Sequence, residues 1–262
     1  MEAVKRIFRK LRSIYYHFLG GYPVAVKGER FIVRTKNIGF WKNVNRGDWE
    51  PESFYFLEEH LSKDDIYIDL GAWAGPTALY ASRRCSKVIA FEPDPIAFKT
   101  LNENIQKNKA SNIHSYNIAV AHYDGISTMS SAGRELGDTM TSLITDHTGK
   151  ESFEALVLSW NTILETYRFG KVKMIKIDVE GAEFDLIPAM HEYLKKYRPI
   201  LWLSIHPTFI PADTNLQQVE KLVDLLSFYE ICINDNMQET TINEMLTRES
   251  LDGYPSFLLK MK

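Results

Sequence analysis

The chain has 262 residues, 45% of them hydrophobic and 25% charged, the balance of an ordinary globular protein with a sizeable core and not of a disordered one. Its net charge of −3 excludes a chain built mainly to neutralise nucleic-acid phosphates. Two cysteines, Cys85 and Cys232, cannot form a disulfide framework or a four-ligand zinc site and read as reduced, buried thiols of a cytoplasmic protein, and no apolar run reaches the roughly 18 residues of a membrane span.

Residues 1–20 carry Lys5, Arg6, Arg9, Lys10 and Arg12 against Glu2 alone. Val4, Phe8, Leu11, Tyr15 and Phe18 recur at three- and four-residue steps, so the segment is predicted to be a basic amphipathic helix ended by Gly20-Gly21. Such a stripe packs on its own domain, on a second subunit, or peripherally on an anionic membrane. Pro23 to Lys27 and Arg30 to Thr35 flank Gly28-Glu29 as a predicted hairpin. A helix follows Asp48-Trp49-Glu50-Pro51 and ends near Leu61. Residues 1–61 are thus read as an extension ahead of a domain spanning 62–262.

From there short apolar strands alternate with helices. The predicted strands are Ile66 to Leu70, Lys87 to Phe91, Asn112 to Ile118, Val172 to Val179, Ile200 to Ile205, Tyr229 to Ile233 and Ser256 to Met261. The helices are Pro76 to Arg83, Pro95 to Asn108, Ala182 to Lys196 and Leu216 to Phe228. This rhythm implies an α/β fold with a mostly parallel sheet covered on both faces. Ser130 to Lys150 breaks it: rich in Ser, Thr, Gly and Asp, with Gly133, Gly137 and Gly149 as hinges, it reads as a lid over a ligand, with Arg134, Glu135 and Asp138 able to meet a polar acceptor.

Three motifs carry chemistry. Asp69-Leu70-Gly71-Ala72-Trp73-Ala74-Gly75-Pro76 closes a strand with a glycine turn and opens a helix, leaving room for a ligand over the strand's carboxyl end. The nicotinamide fingerprint needs glycine where Trp73 and Pro76 stand, which lowers the reading as a dehydrogenase. Glu92 ends the next strand, 21 residues after Gly71, the separation at which an acid can accept hydrogen bonds from ribose hydroxyls. Lys176, Asp178 and Glu180 collect charge at the end of a third strand, where alternation puts the first two on one face. Unpaired, such charges are costly to bury.

In this order and spacing the motifs resemble the FkbM-type family of S-adenosylmethionine-dependent methyltransferases over roughly residues 64–206, most specifically in the Lys-Ile-Asp-Val-Glu-Gly-Ala-Glu run of 176–183. The resemblance implies the class I methyltransferase Rossmann-like sheet of seven strands, the last antiparallel, with S-adenosylmethionine as donor. It further implies that Asp69, Gly71 and Gly75 hold the methionine end, Glu92 the ribose, Asn117 and Ala119 the adenine edge, and Asp178 the neighbourhood of the sulfonium. Relatives act on hydroxyls of sugars, polyketides and lipid-linked glycans. Trp73 replaces a small or polar residue of the family, Asn161 an aspartate and Ser204 a glutamate, the last two expected near the acceptor.

Methyl transfer to a hydroxyl needs the acceptor aligned and its proton removed. His206, in Ser204-Ile205-His206-Pro207, is the first choice of base, with Asp178 and Glu180 able to share the cleft. The same three residues could instead hold a divalent metal; that reading is not favoured here, and no metal ligand is assigned. The Asn/Asp-Pro-Pro-aromatic run of nucleic-acid amino methyltransferases is missing after Asp178, which favours O-methylation. A non-catalytic nucleotide-binding or scaffold protein on the same fold is the rival from another class.

Overall fold

Side-chain alternation along the central strands divides the core into two apolar layers. Tyr67, Val88, Ala90, Met174 and Trp202 point to one face of the sheet, and Ile68, Leu70, Ile89, Phe91, Ile175, Ile177, Leu201 and Leu203 to the other, as a period of two requires. These observations come from a computed structural model that describes residues 15, 16, 18, 20–131, 136, 137, 141, 142 and 151–262.

A hairpin, β1 (Tyr22–Val26) and β2 (Glu29–Val33), leads into α1 (Ile38–Arg46) and α2 (Pro51–His60). Next come β3 (Ile66–Leu70), α3 (Pro76–Ser82), β4 (Lys87–Phe91), α4 (Pro95–Lys107) and β5 (Ile113–Tyr116). Four strands interrupt the alternation: β6 (Ala119–Ala121), β7 (Gly125–Ser131), β8 (Thr141–Ser142) and β9 (Ser152–Ser159). It resumes with α5 (Trp160–Tyr167), β10 (Val172–Ile177), α6 (Glu183–Tyr197), β11 (Ile200–Ser204), α7 (Asn215–Leu226), β12 (Ile231–Asn234), β13 (Glu239–Thr240), α8 (Arg248–Leu251) and β14 (Ser256–Lys260).

The large sheet runs β13-β12-β14-β11-β10-β3-β4-β5. Its five strands from β11 to β5 are mutually parallel, while β14 lies antiparallel between β11 and β12. Seven strands with one antiparallel member match the class I methyltransferase expectation; the two-residue β13 adds an eighth at the edge. Chain order reverses between β3 and β10, the switch point outside which open α/β sheets bind ligands.

The hairpin and α2 do not stand apart from the sheet. Val24, Phe31, Trp41, Phe54 and Phe56 share one apolar cluster with Tyr67 and Trp202, so residues 22–60 complete the core of the domain they precede. The open edge of β2 is satisfied by α4: Ile32 N donates to Asn108 Oδ1 at 2.9 Å and Arg34 N to Asn104 Oδ1 at 2.7 Å. Asn104 is fully buried, and its Nδ2 donates to Ala74 O at 2.9 Å, which ties the hairpin to the glycine turn.

The structure departs from the sequence reading at two places. Helix α1, buried through Ile38, Trp41 and Val44, has no predicted counterpart. The predicted strand Asn112 to Ile118 ends at Tyr116, and after it β6, β9, β7 and β8 form a second sheet in that order, closed by the six-residue β7–β9 ladder. The predicted helix of residues 1–20 lies mostly outside the described residues, as do Gly133, Arg134, Glu135, Asp138 and Gly149 of the predicted lid.

Candidate active site

A cleft of about 350 Å³ opens over the carboxyl ends of β3, β4 and β10, within the size range of ligand pockets. Gly71, with φ +84°, turns the chain sharply after β3, and a Cβ there would overlap the Asp178 carbonyl oxygen. Its need for glycine therefore comes from β10, whose continuation is held by Asp178 N donating to Leu70 O at 3.0 Å. Gly75, with φ +85°, starts α3 and faces Leu101, 2.5 Å from where its Cβ would lie; it is buried against α4 and does not line the cleft. Asp69 is also fully buried behind the turn, accepting from Thr77 Oγ1 at 2.7 Å. Burial raises its pKa, and Lys176, its register partner on β10, opposes that rise.

Glu92 is the centre of the donor end. Its Oε2 accepts from Trp73 N at 2.7 Å and its Oε1 from Asp94 N at 2.8 Å. Each oxygen keeps a lone pair, so hydroxyls can still be accepted. Burial pushes this carboxyl up to about 8 against the pull of the two amides. Phe91, Ile118, Ala119, Val120 and Met129 form an apolar wall beside it. Carboxylate and wall together fit an adenosine-bearing donor. Asn117 is exposed and off the cleft; its Nδ2 donates to the carbonyls of Glu92 and Pro93 at 2.9 and 2.8 Å, which fixes the end of β4 beside the wall.

At the other end Lys176 Nζ meets Asp178 Oδ2 at 2.6 Å. Burial alone would raise Asp178, but this ammonium and then His206 hold it below the ordinary range. His206 Nε2 lies 3.6 Å from Asp178 Oδ1 and 3.5 Å from Glu180 Oε2, and its Nδ1 lies 3.2 Å from Glu183 Oε1. Burial disfavours charge on this imidazole, yet the Glu183 bond and the three carboxylates carry its pKa up to about 9. Burial likewise lifts Glu180 to about 8, with His206 opposing. His206 thus holds a proton at neutral pH. As a base it must first release that proton.

The structure brings Asp178, Glu180 and His206 together with Gly71, Glu92 and Ala119 in one cleft, and leaves Asp69, Gly75 and Asn117 behind it. Asn161 is exposed in the first turn of α5 and does not line the cleft; Ser204 does line it and shares a 2.8 Å hydrogen bond with Ser256. Sequence reasoning missed Trp49, Glu50, Glu183 and Tyr254. Glu50, at the start of α2, is pushed by burial up to about 7 while Lys176 pulls it down. Glu183 carried a signal, since it closes the motif run, but its partner His206 is 23 residues away.

The Methyltransferase FkbM domain family matches residues 69–232. The hexuronic acid methyltransferase AglP of Haloferax volcanii is 26% identical over 178 residues, 66% of this chain and 70% of its own length. The tRNA (guanine(37)-N(1))-methyltransferase 1 of Phaeodactylum tricornutum is 34% identical over 102 residues, 36% of this chain and 23% of its own. The crystal structure of methyltransferase FkbM from Methylobacillus flagellatus KT aligns over 84% of this chain and 60% of that one, with a TM-score of 0.46 and 13% identity.

Proposed function

This chain belongs to the methyltransferase FkbM family, and from that premise we propose that it transfers a methyl group from S-adenosylmethionine to a hydroxyl of a small molecule, sugar or glycolipid. The observation that carries the reading is a single cleft in which Glu92 and the Lys176, Asp178, Glu180 and His206 group face one space. When bound, the donor supplies an electrophilic methyl. Glu92 accepts from its ribose hydroxyls, and the Ile118 to Val120 wall covers its adenine. Asp178, fixed by Lys176, orients the acceptor, and His206, once it has released its own proton, takes up the hydroxyl proton. A sugar-type acceptor is supported by the hexuronic acid relative and by the cleft's rim. Trp49 and Trp73 line it, and Tyr254, 55% exposed, lies 5.5 Å from the His206 ring, aromatic surfaces of the kind sugar rings stack on.

The test is incubation with labelled donor and a panel of sugars, uronic acids and lipid-linked glycans, with the product identified by mass spectrometry. Label on a hydroxyl oxygen supports the reading. Donor binding without turnover on any acceptor returns the fold to a binding protein, and label on nitrogen overturns O-methylation. Action in the cytoplasm, peripheral to a membrane through residues 1–20, is part of the same proposal; no helix among the described residues is long and apolar enough to cross a bilayer. Deleting residues 1–20 should lower binding to anionic vesicles or change the sedimenting species, with donor affinity intact.

A further inference from the structure

We propose that Asp178, Glu180 and His206 form a site for one divalent cation at the acceptor end of the cleft. Their ligand atoms lie within 4.8 Å of one another. The two gaps from His206 Nε2, 3.6 Å to Asp178 Oδ1 and 3.5 Å to Glu180 Oε2, exceed the 2.7–3.2 Å of an N–H···O hydrogen bond. They lie at and just beyond the spacing of about 3.0–3.5 Å between ligands that surround an ion at roughly 2.0–2.2 Å, so the side chains need close in by only a few tenths of an ångström.

The second observation is the setting of the imidazole. The His206 side chain is 6% exposed, and its Nε2 makes no hydrogen bond among the described residues. Its other nitrogen faces Glu183 Oε1 at 3.2 Å. Glu183 is fully buried and fixed in turn by Gly181 N at 2.9 Å and His206 N at 2.5 Å. A carboxylate on Nδ1 sets the tautomer that turns the Nε2 lone pair outward, the arrangement that orients metal-ligating histidines. Lys176 occupies Asp178 Oδ2 at 2.6 Å, which leaves Oδ1 for the ion. With the ligands deprotonated, as binding requires, the carboxylates of Asp178, Glu180 and Glu183 against the Lys176 ammonium leave a charge of −2, which a divalent ion cancels. One imidazole with two carboxylates suits Mn²⁺, Co²⁺ or Zn²⁺ better than Ca²⁺. Three protein ligands keep positions open toward the cleft. If the O-methyl reading holds, an acceptor oxygen takes one of them, and with the ion bound it is the ion that lowers the pKa of that hydroxyl, whose proton leaves to water, in place of His206 accepting it.

The experiment uses the full chain, stripped with a chelator and dialysed. Mn²⁺ is titrated by electron paramagnetic resonance and Co²⁺ by visible absorption, and S-adenosylhomocysteine binding is measured on the same samples. We expect one ion per chain, binding lost in His206→Ala, and affinity lowered at least tenfold in Glu180→Gln. Glu183→Gln touches no ion and should weaken binding by roughly 10–100-fold and alter the Co²⁺ spectrum. No ion bound at millimolar Mn²⁺ or Co²⁺ by a folded chain overturns the site. Equal binding by parent, His206→Ala and Glu180→Gln overturns it too. Because S-adenosylhomocysteine binding is read separately, its failure counts against the methyltransferase reading and leaves the ion result standing.

Discussion

The backbone amide of Trp73 donates to the Glu92 carboxylate at 2.7 Å, so the turn after β3 and the end of β4 are locked to the group expected to hold the donor's ribose. Removing that carboxylate costs the donor its charge-assisted bonds and frees two backbone amides. Glu92→Ala should lose roughly 1.5–3 kcal/mol of affinity for S-adenosylhomocysteine. Calorimetry checks this; parent-like binding would reassign Glu92.

Glu92 also predicts a pH dependence. Burial raises its pKa from 4.5 to about 8, so between those values the folded chain holds a proton that the unfolded chain has released. Its contribution to stability is therefore full below pH 4.5 and is lost as pH rises toward about 8. Donor affinity should move the other way, rising from pH 6.5 to 8.5 with proton release on binding, because ribose hydroxyls donate best to the ionised form. Glu92→Gln should flatten both slopes while setting an NH₂ group against one of the two amides. Calorimetry in buffers of differing ionisation enthalpy and melts at several pH values read these effects. A donor affinity independent of pH in the parent would sink the assignment.

Gly71→Ala should fail at the level of folding. The new methyl would overlap the Asp178 carbonyl on a residue already at φ +84°, and the strand bonded through Asp178 N would have to retreat. The left-handed backbone alone costs about 1–3 kcal/mol, and displacing β10 adds to it. Circular dichroism melts should show a large loss of stability. A parent-like melting temperature would mean that the turn and β10 are not packed as described.

What the sequence revealed follows the strength of its local signals. β3 and β4 are apolar runs bounded by charged residues and glycine or Glu-Pro, and α4 opens on Asp94, which caps Ile96 and Ala97, followed by Pro95; both elements and Glu92 were legible. α1 was not, because Asn37 gives it no side-chain cap and Gly39 interrupts its first turn. β7 reads Gly-Ile-Ser-Thr-Met-Ser-Ser and buries serines at 130 and 131, so its polar sequence resembles a loop until β9 pairs with it. Trp49 and Glu50 reach the cleft only through the packing of α2, a tertiary fact with no local pattern.

The lid expectation can be tested at its described points. Gly137 O accepts from Trp73 Nε1 at 3.0 Å, and Gly137 N donates to Asp94 Oδ2 at 2.6 Å. Farther along, Ser142 Oγ donates to Glu180 O at 2.5 Å, so Gly137 is held at the donor end of the cleft and Ser142 at the acceptor end. Trp73 is thus a latch as well as part of the turn. Trp73→Phe keeps an aromatic ring against Phe40, now 4.5 Å between ring centroids, and deletes the indole N–H together with part of the ring. A bond of this kind contributes about 0.5–1.5 kcal/mol net, so amide exchange at Leu136 and Gly137 should quicken by roughly 2–10-fold. In the parent, S-adenosylhomocysteine should slow the same amides. Equal exchange with and without the ligand, in both proteins, would make 130–150 a surface segment that merely rests on Trp73.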